Sequence, residues 1–106
     1  MFDGLKDMKK LLDQAKDMKA KMQVVQKELK STIVEGTDPG SSVKIVMTGE
    51  MDCTEVVILN AELLSDKAKL ETAVKKAVNE AATKAKNIAT QKLSAVSGGL
   101  KIPGLT

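Results

Sequence analysis

Residues 5–30 place apolar side chains at alternating spacings of three and four, the a/d pattern of a long amphipathic helix. Such a helix spans roughly 39 Å, whereas a six-residue strand spans only about 20 Å, so a small sheet in the same chain cannot cover the stripe. We expect a second helix, or the helices of another copy, to lie along it. The predicted homodimer seam comprises Met8, Leu11, Ala15, Met18, Met22, Val25 and Leu29.

The composition indicates one folded domain over residues 1–106. Hydrophobic residues make up 42% of the chain and charged residues 29%, which is too polar for a membrane span and too apolar for a disordered tail. The first residues contain no apolar run of signal-peptide length, and a single cysteine provides no disulfide framework. We therefore predict a cytoplasmic protein.

Charge divides the chain into two basic ends and an acidic middle. Residues 1–30 contain 8 Lys and 5 acidic residues, residues 31–66 contain 1 Lys and 7, and residues 67–106 contain 8 Lys and 2. Basic ends favour a polyanionic partner, most simply duplex DNA, although a solvated helix face has the same composition. Every basic residue is Lys, which disfavours base-specific recognition because the bidentate fork that binds guanine belongs to Arg.

The candidate DNA-binding residues are lysines on the two predicted helices. On the first helix they occupy the arc opposite the apolar stripe, with Lys9, Lys16 and Lys27 nearly in line. On the second helix they lie opposite a seam rich in alanine. The complete set is Lys6, Lys9, Lys10, Lys16, Lys27, Lys69, Lys75, Lys76 and Lys86.

From Thr32 the apolar period changes to two, which predicts a three-stranded antiparallel meander over residues 31–62. The third strand places Val56 and Ile58 on one face and Cys53 on the other, so we expect helices to cover one face and a second subunit to cover the other. Helix 1 is predicted over residues 1–30, helix 2 over 65–97 with Ser65 as its N-cap, and a tail over 98–106. The predicted fold class is α+β, with helices that protrude from a dimer.

No catalytic constellation is present in the sequence. Cys53 lacks the histidine base that a catalytic thiol needs, so we interpret it as a half-buried packing residue. The chain has neither a phosphate-binding glycine loop nor the ligands for a metal site. We therefore predict no enzyme, no cofactor, no metal and no small-molecule substrate.

Several motifs together resemble the YbaB/EbfC family of bacterial nucleoid-associated proteins. They are VKIVMTGEMDCTEVVI, LLSDKAKL, VNEAATKA and SGGLKIPGL, after an MF-x-G start and a first helix rich in Met, Gln and Lys. The resemblance implies a homodimer with a central sheet and protruding helices that bind DNA, located in the nucleoid. It places DNA contacts on both long helices, as a class of lysines and not as a fixed motif.

Two other readings remain open. A helix-hairpin-helix interaction or chaperone-like module, resembling prefoldin, would hold other proteins with apolar helix tips instead of binding DNA. Interfacial membrane binding by helix 1 is the weaker alternative, because its apolar face lacks Trp, Phe and Ile. We predict no membrane partner.

Overall fold

The computed structural model describes residues 3–96, except the side chains of residues 3, 5 and 6. The predicted tail over 98–106 lies outside the described residues. The chain forms an α+β fold in which one three-stranded antiparallel sheet has the order β1-β2-β3, as predicted. Its elements are α1 (Asp3–Ser31), β1 (Ile33–Thr37), β2 (Val43–Thr48), β3 (Cys53–Ile58), a 3-10 helix (Ala61–Ser65) and α2 (Lys67–Val96).

The core lies between α2 and the first two strands. Val43 and Ile45 of β2 are fully buried, and the period of two directs them toward α2. Small side chains let the helix approach closely, and at Gly36 of β1 an added Cβ would overlap backbone atoms of Ala77 and Ala81. The buried residues of this cluster are Val34, Val43, Ile45, Met47, Ala73, Ala77, Ala81 and Ala85.

Asp66, and not Ser65, caps the N-terminus of α2. The Lys69 amide donates a hydrogen bond to Asp66 Oδ1 at 3.2 Å, which satisfies one of the free N–H groups of the first turn. Ser65 instead ends the preceding 3-10 helix, where its hydroxyl donates to the Glu62 carbonyl at 2.9 Å. The predicted start of helix 2 is therefore early, and α2 begins at Lys67.

A β-bulge changes the predicted faces of β3. Met47 pairs with Cys53 whereas Val46 pairs with Glu55, which leaves Thr54 as an extra residue on β3. Cys53 therefore lies on the face of the sheet that α2 packs against, contrary to simple alternation. It is also exposed and not half-buried, because α2 covers β1 and β2.

Among the described residues, the C-terminal part of α1 is the part of this helix that has buried side chains. Val25 and Leu29 are buried there, and Leu29 lies against Gly49 at the end of β2. The Lys92 ammonium of α2 contacts Glu28 Oε2 at 2.8 Å, so the end of α2 lies beside α1. These contacts run antiparallel, because Lys21 and Val96 border the same groove.

The N-terminal part of α1 extends beyond these contacts. Met8 and Leu11 are 62% and 64% exposed, Ala15 and Met22 are exposed, and Met18 is half-buried. The principal extents of 75 × 23 × 16 Å reflect this elongated form. The predicted seam is thus divided: Val25 and Leu29 are buried within one chain, and the use of the exposed part as a dimer seam stays a prediction.

The turn between β1 and β2 is organised by a buried carboxylate. Asp38 Oδ1 accepts hydrogen bonds from the amides of Ser42 at 2.6 Å and Val43 at 2.8 Å. Burial raises the pKa of Asp38, but these hydrogen bonds stabilise the carboxylate and hold the pKa below its ordinary value. The carboxylate therefore stabilises the turn that sets the register of β1 and β2.

We expect Asp38→Ala to lower the free energy of unfolding by about 2 to 4 kcal/mol at pH 7, because hydrogen bonds to a charged group are lost. The folded pKa is the lower one, so this stabilisation is present above the unfolded pKa and disappears as the pH falls through the folded pKa. Urea unfolding of both proteins at pH 7 and pH 3 measures the difference. A gap that is unchanged at pH 3 would contradict a role for the charge.

Candidate nucleic-acid interface

The lysines of α1 form a row on its exposed side. Lys9, Lys16 and Lys27 are separated by 7 and 11 residues, so they lie within about 20° of each other around the axis, with spacings of about 10 and 16 Å. All three are exposed, as is Lys10 beside them. The side chain of Lys6 lies outside the described residues. The α1 lysine row is therefore accessible to a long, straight polyanion.

The lysines of α2 fall on two sides of that helix. Lys75 and Lys86 are 11 residues apart and point away from Ala77, which faces the sheet. Lys69 and Lys76 lie on a flank, where they border a cavity of about 390 Å³ together with Asp38. All four are exposed.

Within residues 3–96, some lysines form ion pairs with carboxylates and others do not. Of the described candidate lysines, Lys69 alone has an ion-pair partner within 4 Å, the carboxylate of Asp66 at 3.8 Å. The other candidates have no carboxylate this close among the described residues. The lysines that pair elsewhere are Lys21, Lys44, Lys67, Lys84 and Lys92.

Lys84 has a structural role that the sequence did not indicate. Its ammonium donates a hydrogen bond to the Glu35 carbonyl of β1 at 2.8 Å and pairs with Glu80 at 3.2 Å. Helical periodicity places Lys84 on the sheet side of α2, which is the signal that distinguishes it from Lys75 and Lys86. Net charge alone does not distinguish Lys84 from the solvated lysines.

The segment that contains the strands is the acidic part of the chain. Residues 31–66 contain 7 acidic residues and 1 Lys, among them Glu50, which shares a surface depression with Lys27 and Lys30. Negative charge repels a phosphate backbone, so this segment is the least suited to a polyanion.

A sequence profile of the YbaB/EbfC DNA-binding family matches residues 4–100. The chain belongs to this family. It is 33% identical to a nucleoid-associated protein of Desulfotalea psychrophila over 94% of this chain and 95% of the relative. It is 36% identical to a nucleoid-associated protein of Dictyoglomus turgidum over 96% of this chain and 92% of the relative.

A solved structure shares the fold of this YbaB/EbfC chain. It is an uncharacterized protein from Helicobacter pylori, with a TM-score of 0.74 and 21% identity over 86% of this chain and 94% of that one. The family is one of DNA-binding proteins and not of enzymes. In the part of the chain that the structure describes, neither helix is long and apolar enough to cross a membrane.

Proposed function

We propose that this YbaB/EbfC chain binds duplex DNA in the nucleoid, mainly through contacts between lysine and phosphate and with little dependence on sequence. The exposed lysines of α1 and α2 that have no carboxylate within 4 Å among residues 3–96 carry the proposal. Lys binds phosphate as a point charge, and the absence of Arg removes the side chain that reads guanine most often. The protein would contribute to nucleoid organisation or gene regulation.

Release of counterions supplies most of the affinity in this mechanism. Lysines spaced along a straight helix meet several phosphates at once, and each neutralised phosphate frees condensed cations. The chain contains one aromatic residue, so it offers no platform on which single-stranded bases stack. Duplex DNA, with its dense and regular phosphates, is therefore the favoured form.

The homodimer is part of this proposal. The chain exposes 7961 Å², whereas a compact monomer of 11.3 kDa exposes roughly 5,700 Å². The excess is larger than the roughly 800 Å² that each partner buries in a stable interface. A dimer would also hold four basic helices in a fixed arrangement, so that phosphates on adjacent turns of DNA are bound together.

The exposed apolar stripe of α1 favours a second candidate function. Met8, Leu11 and Leu12 form an accessible patch, and methionine-rich surfaces adapt to varied partners. A protein-interaction or chaperone-like module would use this patch and would not need the lysines. Binding of DNA distinguishes the two functions.

The test is a titration of random-sequence duplex DNA followed by fluorescence anisotropy at several salt concentrations. If each dimer neutralises about five phosphates, log K should fall with log salt at a slope of roughly −4.5. Duplexes of different sequence should give the same slope and similar affinities. No binding at low salt, or affinity that is independent of salt, would contradict the proposal and favour the protein-interaction module.

A further inference from the structure

The main chain of β1 directs the polar groups of alternate residues toward β2 and away from it. The Gly49 amide donates a hydrogen bond to the Thr32 carbonyl at 2.9 Å, and this pair continues the register of the β1–β2 ladder. In an antiparallel ladder, residues that bond to the partner strand alternate with residues that do not. The amides and carbonyls of Glu35 and Thr37 therefore point away from β2, at the free edge of the sheet.

Two side chains of α2 occupy this edge. The Lys84 ammonium donates a hydrogen bond to the Glu35 carbonyl at 2.8 Å, and the Thr37 amide donates one to Glu80 Oε1 at 3.4 Å. Glu80 and Lys84 are neighbours on the helix surface and pair with each other at 3.2 Å. One acceptor and one donor of the edge are thus bonded to side chains, at the position where a neighbouring strand would bring its own main chain.

The sequence of β1 is that of a strand that pairs readily. It contains Ile33, Val34 and Thr37, whose β-branched side chains favour strands, and it contains no proline. Val34 is buried against α2, whereas Ile33 is 58% exposed on the opposite face. An unpaired edge of this kind is a template for a strand of another molecule, and proteins block such edges with lysine or with a covering helix.

We propose that Lys84 and Glu80 form a cap that prevents β1 from pairing with a strand of another molecule. The β1 edge is then a latent surface for association between copies of this chain, and the cap keeps it closed. The strand that the cap excludes is a second β1, because two copies of one edge can pair antiparallel around a two-fold axis. The inference goes beyond the proposed function and does not depend on DNA binding.

The first test is sedimentation velocity without DNA on a variant that changes both Glu80 and Lys84 to Ala. The two substitutions leave the net charge unchanged, and alanine is the best helix former, so loss of the cap is the main change. We expect the weight-average mass of this variant at roughly 300 μM to exceed that of the wild type about twofold or more, because the open edge pairs with itself.

The matched control changes Lys67 and Glu71 to Ala. These residues form an ion pair of the same type and spacing on the same helix, at 3.8 Å. Lys67 precedes Lys84 by 17 residues, or roughly 25 Å along the helix, so the control leaves the β1 edge capped. It should sediment as the wild type does. Equal self-association of the two variants would show that the loss of any ion pair on α2 has this effect, and would overturn the cap.

A second variant, Lys84→Met, tests the cap even if the double variant does not fold. Methionine retains most of the aliphatic stem and removes the ammonium, so the Glu35 carbonyl loses its donor with little change in packing. We expect self-association in the same direction as for the double variant. Lys75→Met removes the same charge from the outer side of α2 and should leave the mass unchanged.

Amide hydrogen exchange locates the contact between molecules. Pairing at the β1 edge should slow exchange of the Glu35 and Thr37 amides about tenfold or more as the concentration of a cap variant rises. The Val34 and Gly36 amides bond to β2 and should exchange as they do in the wild type, which shows that the fold is intact. Association that leaves the Glu35 amide unprotected overturns the inference, and so do folded cap variants that sediment as the wild type does. The salt titration with DNA decides the proposed function independently of these results.

Discussion

Replacing Gly36 by Ala should lower the free energy of unfolding by about 3 kcal/mol or more, a large share of the total for a small domain. An added Cβ at this position would overlap the Ala77 carbonyl oxygen and the Ala81 amide nitrogen, and it would lie 2.8 Å from Ala81 Cα. These are backbone atoms of α2, which cannot rotate away, so the helix must move off the sheet. Urea unfolding followed by circular dichroism measures the loss.

Gly40→Ala is the matched control for this change. Gly40 lies in the exposed β1–β2 turn, where the nearest atom to an added Cβ is Asp38 Oδ2 at 3.3 Å. Asp38 is held by its hydrogen bonds, but a shift of a few tenths of an ångström in the turn relieves this contact, so we expect a change of about 1 kcal/mol or less. Equal losses from the two substitutions would show that the close contact between β1 and α2 is not what makes Gly36 necessary.

Periodicity in the sequence predicts the elements of this fold because apolar residues recur at the period of each helix or strand. The three-and-four spacing predicts α1, and the alternation of Val43, Ile45 and Met47 predicts which face of β2 is buried. The alanine repeat of α2 likewise predicts close packing, which the burial of Ala77 and Ala81 confirms.

Features that depend on a single contact cannot be predicted from the periodicity of apolar residues. The extra residue Thr54 reverses the face of Cys53, and no spacing of apolar residues marks a bulge. Asp66 and Ser65 are both good capping residues, so only the geometry of the preceding 3-10 helix decides between them. Where two local structures have similar energies, the surrounding structure determines which one forms.

The exposure of the candidate lysines can be predicted in part from the same helical period. Opposition to the apolar stripe predicts the exposed side chain of Lys27, which lies opposite the buried Val25 and Leu29, because burial and exposure share one period there. The partner of a lysine is a tertiary property. Lys92 contacts Glu28 across 64 residues of sequence, which a helical wheel of either segment does not contain.

Removing the α1 lysine row should weaken DNA binding about 100-fold at 0.15 M salt if this row contacts about three of the phosphates bound by each dimer, since each lost phosphate contact costs about fivefold there. The variant changes Lys9, Lys16 and Lys27 to Gln, and the salt slope should become shallower by about 1 for every lysine that contacts phosphate. A second variant with Gln at Lys75 and Lys86 tests the outer side of α2. Anisotropy titrations of random duplex DNA measure both effects.

The control changes Lys21, Lys44 and Lys67 to Gln, which removes the same three charges from lysines that pair with carboxylates at 3.4 to 3.9 Å. All of these pairs are at least partly exposed, so their loss should leave the unfolding midpoint nearly unchanged. If the control weakens binding as much as the α1 variant, affinity follows total charge and no particular lysine surface exists. If none of the variants changes affinity or slope, the lysines are a solvated face, and the apolar stripe of α1 becomes the functional surface.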